Sequence, residues 1–277
     1  MSEETADLER RFGGLARLYG VRGAANIRSA HVVVVGIGGV GSWTVEALAR
    51  SGVGRLTVID LDHIAESNIN RQIHALDNTL GMAKVEAMRQ RIHHINPSCV
   101  VTCIEDFVES SNWPDLFVES SNWPDLLNGT PVDAVIDACD QIKAKTAMAA
   151  WALKCKAVFI TVGAAGGKRH AHQVDVDDLA KTSHDPLLAK LRYNLRREHG
   201  AARDGKKIGV TCVFSREAVA PPDASCNISN DGSNNGQSDG SLNCSGYGSV
   251  VSVTATFGQC AAGWVLDQIS SRALSKD

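Results

Sequence analysis

Short apolar runs alternate with amphipathic stretches from residue 31 to residue 162, and that alternation sets the architecture. Residues 31–35, HVVVV, are an unbroken β-branched run, as expected of a parallel strand covered on both faces. A glycine-rich turn comes next, then a helical pattern over 42–50 that Gly52 ends. Residues 55–60 give a second strand closed by an acid, which completes a βαβ unit. Val85, Met88, Ile92 and Ile95 recur at helical spacing inside a helix predicted over 82–95, and Asn96-Pro97 stops it. Strands over 99–104, 133–138 and 157–162, with a helix over 142–154, continue the series. The pattern predicts an α/β protein with a doubly wound, mostly parallel sheet. An amphipathic helix over 8–19 precedes it. Past a turn at 163–167 the texture changes to a polar helix over 186–198, a strand over 208–214, a polar loop, and a buried C-terminal helix over 250–269 with a strand-like start.

Two segments break the pattern. FVESSNWPDL occurs twice in succession, at 107–116 and 117–126. Two ten-residue copies do not make a solenoid, which needs longer units and at least three of them. We read the repeat as a recent duplication or a cloning artefact in a surface loop or short helix, where added length costs little closure entropy. Deleting one copy is expected to leave activity intact. Residues 225–241 are almost all Ser, Asn, Gly and Asp, too polar to bury a core. They read as a flexible loop spanning 223–243, placed like a lid.

Composition narrows the class without naming the chemistry. With 277 residues, 44% hydrophobic and 21% charged, the chain resembles an ordinary globular protein. A net charge of −3 means that any nucleic-acid surface must be a local patch. The N-terminus is charged from its third residue, unlike a signal peptide, and the apolar C-terminal stretch is interrupted by Thr254, Thr256, Gly258 and Gln259, unlike a membrane span. None of the eight cysteines forms a CxxC pair, so zinc-ribbon spacing is absent; several sit in apolar runs, as reduced core residues do. These features point to the cytoplasm.

The candidate chemistry begins in the turn after the first strand, Gly36-Ile37-Gly38-Gly39-Val40-Gly41. Gly36 permits the tight turn, Gly38 and Gly39 let backbone approach a phosphate, and Gly41 lets the helix close on the strand. Asp60 lies 24 residues beyond Gly36 at a strand tip, where an acid takes ribose hydroxyls. NAD(P) and ATP both suit this much. The residues after the second strand favour ATP: Asp60-Leu61-Asp62, then Asn68, Arg71 and Gln72, then Lys84 on the next helix. A carboxylate attacking the α-phosphate while pyrophosphate leaves brings negative charges together, and Arg71, Lys84, the amides and a metal can screen them. A nicotinamide needs no such cluster. Asp137-Ala138-Cys139-Asp140 ends the fourth strand, where doubly wound sheets hold ligands. Asp140 can bind Mg2+ there, and can equally cap the following helix.

Gly-x-Gly-Gly-Val-Gly-Ser, Asp-x-Asp, Ser-Asn-x-Asn-Arg-Gln, the helix lysine and Asp-Ala-x-Asp together resemble the ubiquitin-activating and molybdopterin/thiamine (ThiF/MoeB-type) adenylyltransferase superfamily. The strings RFGGLARLYG at 11–20, NRQIHA at 70–75, DLAKT at 178–182, DPL at 185–187 and VFS at 213–215 are similar to its tRNA threonylcarbamoyladenosine dehydratase branch. The resemblance implies an ATP-dependent enzyme that adenylates the carboxylate of threonylcarbamoyladenosine beside the anticodon. The ureido group then closes on the activated carbonyl, expelling AMP. It further implies that Asp60 holds the ribose, that Asn68, Arg71 and Lys84 hold the phosphates and that Asp140 holds Mg2+. A homodimer, a monovalent cation and a sulfur-transfer partner also belong to its expectations. The chain divides into three segments: an N-terminal helical segment (1–30), a Rossmann-like ATP-binding domain (31–165) and a substrate and dimerisation extension (166–277), within one compact domain.

The chain departs from the superfamily in two respects, of which one, the absence of its zinc CxxC pairs, is expected of this branch and counts against a sulfur-carrier substrate. The usual Arg-Tyr-x-Arg, whose second arginine crosses the dimer, reads Arg11-Phe12-Gly13-Gly14 here, which leaves Arg17 or Arg11 for that task. Cys244 is either an acyl- or sulfur-accepting thiol or a structural one, with Cys226 behind it as a candidate. For RNA, Lys190, Arg192, Arg196, Arg197, Arg203, Lys206 and Lys207 cluster around Tyr193, a combination suited to phosphates and bases, or to a solvated helix face. The competing function is activation of the C-terminal glycine of a ubiquitin-like sulfur carrier. An NAD-dependent dehydrogenase and a non-catalytic nucleotide sensor are the remoter alternatives.

Overall fold

The computed structural model describes residues 6–108, 131–221 and 247–272. The second copy of the duplicated decapeptide, all but the first two residues of the first copy, the 223–243 loop, Cys226 and Cys244 lie outside the described residues. Among these residues seven strands form one sheet: β1 (His31–Val35), β2 (Arg55–Ile59), β3 (Val100–Ile104), β4 (Ala134–Asp137), β5 (Phe159–Val162), β6 (Val174–Asp178) and β7 (Thr211–Ser215). Their order is β3-β2-β1-β4-β5-β7-β6, parallel throughout except for β6 against β7. The strand order reverses between β1 and β4, which is where sheets of this kind open a crevice at their carboxyl ends. The two strands beyond residue 165 extend the same sheet.

The central strands are buried along their whole length, as HVVVV requires. On one face lie α3 (Gly41–Arg50), α4 (Lys84–Ile95) and α7 (Val251–Ser270), with Val45, Leu48, Met88, Ile92, Phe257 and Val265 in a common apolar cluster. On the other lie α5 (Ile142–Cys155) and α6 (Pro186–Glu198), through Met148, Ala149, Leu188, Leu191 and Leu195. Gly258 sets the closest approach: a β-carbon there would stand 2.6 Å from the Val40 carbonyl oxygen and 2.9 Å from the Thr44 nitrogen, so α7 lies directly on the start of α3.

The structure revises four sequence expectations. The N-terminal helix is two helices, α1 (Leu8–Phe12) and α2 (Gly14–Ser29), with a break at Gly20, whose φ of 76° leaves the helical region. The strand-like start of the C-terminal helix shrinks to one extended residue, Val250. Strand β6 was not expected at all, although VDVDD alternates with period two; Val174 and Val176 pack on the core and the aspartates blunt an exposed edge. The cap position of α5 is held by Gln141, one residue after Asp140, and without a side-chain bond from it.

One buried group makes stability sensitive to pH. His74 is 2% exposed, and neither ring nitrogen has a partner among the described residues. Burial first, then the charges of Lys84 and Arg91, lower its pKa from 6.5 to about 3. As pH falls below 6.5 the unfolded chain takes up a proton that the folded one refuses until near 3, so stability is lost on acidification across that window. The expected slope from His74 is about 1.4 kcal/mol per pH unit. It is measured as the difference in denaturant-unfolding free energy between the native chain and His74→Phe from pH 6 to 5, and equal slopes would refute it.

Candidate functional site

The glycine turn joins β1 to α3 in a conformation that side chains forbid. Gly36 has φ of 84°, and a β-carbon there would stand 2.7 Å from the Cys139 nitrogen. One on Gly41 would stand 1.7 Å from the Gly36 carbonyl oxygen. Gly38 differs: its nearest neighbour would be Gln72 Nε2 at 4.0 Å, so its backbone faces open space, as a phosphate cradle requires.

Asp60 is tied to this turn. One carboxylate oxygen accepts the Ile37 N–H at 2.6 Å, and the other accepts the Asp62 N–H at 2.9 Å. Burial raises its pKa, and Lys84, 3.7 Å away, opposes that rise. Lys84 is the first residue of α4 and only 6% exposed, with Nζ donating to Asp62 at 2.6 Å. It is therefore a buried cation between two acids, not a solvated helix residue. Asp60, Asp62 and Lys84 meet as the sequence spacing predicted.

Asn68, Arg71 and Gln72 lie on the segment facing the turn. The Asn68 carboxamide oxygen accepts the Ala65 N–H at 3.1 Å, so what it presents to a phosphate is its NH2 group. The Arg71 guanidinium donates to the Ser67 carbonyl at 2.6 Å and to Asn70 Oδ1 at 2.9 Å, and its stem packs against Gly39. Burial lowers its pKa from a value high enough to keep the charge. Trp43 donates to the Arg71 carbonyl at 2.9 Å and fixes the segment on α3. Gln72 is 5% exposed and its Oε1 is buried without a partner among the described residues. An unsatisfied acceptor beside an open glycine backbone is what a nucleotide donor group would complete.

At the end of β4 the two aspartates diverge. Asp137 is fully buried: Lys145 Nζ donates to it at 2.9 Å and Thr161 Oγ1 at 2.6 Å. The Cys139 thiol also points at it, 3.1 Å away. Burial and then Asp137 push the Cys139 thiol well above its ordinary pKa, so it is an inert neighbour. Asp140 is half-buried on the same strand end. No cluster of three His, Cys, Asp or Glu side chains occurs among the described residues. Mg2+ on a triphosphate needs only one or two carboxylates, and the donor set Asp140 plus phosphate oxygens fits that need.

Sequence reasoning missed two contributors. Lys145 sits with Ala144, Met148, Ala149 and Ala152 on the buried face of α5, and a cation at core spacing was the signal. The second is the segment before α7: Ser249 accepts from Asn70 Nδ2 at 3.2 Å and Gly248 accepts from the Gly167 N–H at 2.9 Å, so residues 248–251 border the site. Of the predicted RNA patch, Arg192 is half-buried and donates to the Leu179 and Thr182 carbonyls, and Arg196 donates to the Ala202 carbonyl. Both are committed to holding the chain. Lys190, Arg197, Arg203, Lys206 and Lys207 are exposed, with Lys190 and Arg197 each about one ring width from Tyr193, at 5.3 and 5.2 Å from its centroid. Arg11 donates to the Ile95 carbonyl of its own chain at 2.8 Å, which leaves Arg17, exposed on α2, as the freer of the two candidates for a cross-dimer reach.

Known proteins match the chain along nearly its whole length. It is 42% identical to the tRNA threonylcarbamoyladenosine dehydratase of Escherichia coli (strain K12), over 95% of this chain and 94% of that protein. It is 41% identical to the enzyme of the same name from Haemophilus influenzae, over 94% of each. The crystal structure of the E. coli tRNA N6-threonylcarbamoyladenosine dehydratase in complex with ATP superposes with a TM-score of 0.81 at 40% identity, covering 98% of this chain and 99% of that one. The ThiF family model matches residues 11–276, and with the site geometry in place the conclusion is direct: this chain belongs to the ThiF family.

Proposed function

We propose that the protein uses ATP to adenylate the carboxylate of threonylcarbamoyladenosine in tRNA and then cyclises the activated group with net loss of water. The observation that carries this reading is the Asp60–Asp62–Lys84 cluster bound to the glycine turn, in a chain that aligns end to end with a dehydratase crystallised with ATP. Asp60 accepts the ribose hydroxyls. Arg71, Lys84, the Asn68 NH2 and the Gly38–Gly39 backbone hold the phosphates, with Gln72 beside them and Asp62 orienting Lys84. A substrate carboxylate oxygen bonds to the α-phosphorus as the bond to pyrophosphate breaks. The ureido group then attacks the carbonyl carbon, loses its proton and expels AMP, which carries away the carboxylate oxygen. Mg2+, held by Asp140, supplies charge neutralisation on the phosphates when bound.

The same geometry supports further parts of the reading. The exposed cations around Tyr193 suit an RNA backbone and an unpaired base. Leu18 and Val21, 73% and 81% exposed on α2 next to Arg17, suit a two-fold dimer in which Arg17 reaches the partner's phosphates. Six described cysteines are free thiols, and burial pushes Cys99 up to about 12 and Cys103 to about 11, which keeps both protonated at neutral pH. No helix among the described residues is long and apolar enough to cross a membrane.

The decisive experiment gives purified protein ATP and threonylcarbamoyladenosine-containing tRNA, and weighs the nucleoside. Loss of one water supports the dehydratase. Pyrophosphate exchange that requires a small carrier protein, with the RNA unchanged, would transfer the reading to sulfur-carrier activation. Asp140→Asn is expected to abolish turnover while ATP still binds, by equilibrium dialysis; retained turnover would remove Asp140 from the chemistry.

A further inference from the structure

A cavity of about 600 Å3 opens on the far side of α3 and α4, between α1, the carboxyl ends of both helices and the loop from His74 to Thr79. It opens away from the glycine turn, although His74 and Ala87 on its rim lie close in the chain to Gln72 and Lys84, and the Lys84 charge reaches His74. The glycine turn meets the amino end of α3 and Lys84 begins α4, whereas Arg50 and Ile95 close those helices. Helices of this length put roughly 15 Å between the two ends.

The cavity wall carries Arg11, Arg50, Arg91 and His94, and among the described residues no aspartate or glutamate lines it. Behind the wall, Glu46 is 3% exposed and accepts from Arg50 at 2.7 Å and from Arg91 at 2.6 Å. Arg11 is held by the neutral Ile95 carbonyl. Three guanidiniums against one carboxylate leave two positive charges facing the space. His74 borders the same space with both ring nitrogens buried and unpartnered among the described residues. Its placement is fixed: Thr79 Oγ1 donates to the His74 carbonyl at 2.6 Å and accepts the Leu76 N–H at 2.9 Å. A buried imidazole without a partner is costly, and a rigid loop holds it there. Phe12, Ala87 and Ile95 add an apolar wall to the charged one.

We propose that this cavity binds a phosphate monoester, its dianionic group held by Arg11, Arg50 and Arg91 beside the buried His74 ring, with the organic part against Phe12. Two net positive charges match a phosphate dianion, and guanidinium forks match its oxygens. The phosphate can come from a small metabolite or from the 5′ end of an RNA.

The test monitors the His74 ring resonances in the full chain labelled with 15N-histidine, at constant ionic strength. Titration is with inorganic phosphate, ribose 5-phosphate, and a short RNA hairpin with or without a 5′-phosphate. A saturable shift is expected, unchanged in Arg71→Gln, which alters only the nucleotide site, and weakened about tenfold in Arg50→Gln and in Arg11→Gln. Both are surface positions, and matching unfolding midpoints confirm that the fold is kept. Tighter binding of ribose 5-phosphate than of the phosphorylated hairpin assigns a metabolite, and the reverse order assigns an RNA end. An unresponsive His74, or wild-type affinity in both arginine variants, overturns the site. So does a resonance that moves with protein concentration and not with phosphate, which would give the cavity to a second copy of the chain.

Discussion

Alanine at Arg71 or at Lys84 is expected to slow adenylation by about two orders of magnitude or more, the usual effect of removing a preorganised charge from a phosphoryl-transfer transition state. The two variants should differ in kind. Arg71 carries its guanidinium on a segment fixed by Trp43 and the Ser67 carbonyl, and packs on Gly39. Its loss removes one cation and leaves the neighbouring network standing, so ATP binding should weaken less than the rate. Lys84 sits 2.6 Å from Asp62 and 3.7 Å from Asp60. Its loss leaves Asp60 nearly buried beside an exposed acid, with the opposing charge gone, and the carboxyl is driven further toward its protonated form. Ribose recognition and rate should therefore fall together in Lys84→Ala. Pyrophosphate exchange gives the rate and equilibrium dialysis the affinity. Near-normal exchange in both variants would mean that the phosphates bind somewhere else.

How much of this was legible depends on whether the signal is local. The parallel strands read directly because burial on both faces demands continuous β-branched runs, as in HVVVV. The glycine turn, Asp60 and Lys84 read because their spacing is fixed by one strand–turn–helix unit and its successor. Strand β6 was overlooked although its Val–Asp alternation is visible, since its only pairing among the described residues is with β7, some forty residues further along the chain. The Asn70–Ser249 bond, 179 residues apart in the chain, has no local trace at all. The RNA patch shows the opposite failure. A run of cations counted as charge in the sequence includes Arg192, whose guanidinium caps the Leu179–Thr182 turn from within. Composition cannot distinguish a cation facing solvent from one turned inward to carbonyls.

Lys145→Met is expected to destabilise the protein by about 3–5 kcal/mol, although it replaces a charge with an apolar chain of similar length. Lys145 and Asp137 are both fully buried, 2.9 Å apart, and Thr161 Oγ1 bonds to each, at 3.0 and 2.6 Å. Burial is the largest single influence and lowers the lysine pKa, but Asp137 with Cys139 and Cys212 turns the net shift upward, so the lysine keeps its charge. Removing the cation strands a carboxylate in the core, and the chain must either carry that charge or protonate it. The cost therefore belongs to the orphaned partner, and Asp137→Asn in the Lys145→Met background should restore most of the stability. Asp137 also accepts the Cys139 N–H at 3.2 Å, at the turn that leads to Asp140 and presses on Gly36. The single variant should thus lose activity beyond its loss of folded protein, because the strand end that carries Asp140 is no longer held. Urea unfolding of the wild-type, single and double variants decides the matter. If Lys145→Met unfolds within about 1 kcal/mol of wild type, or the double variant is worse than the single, the buried pair does not hold this strand end.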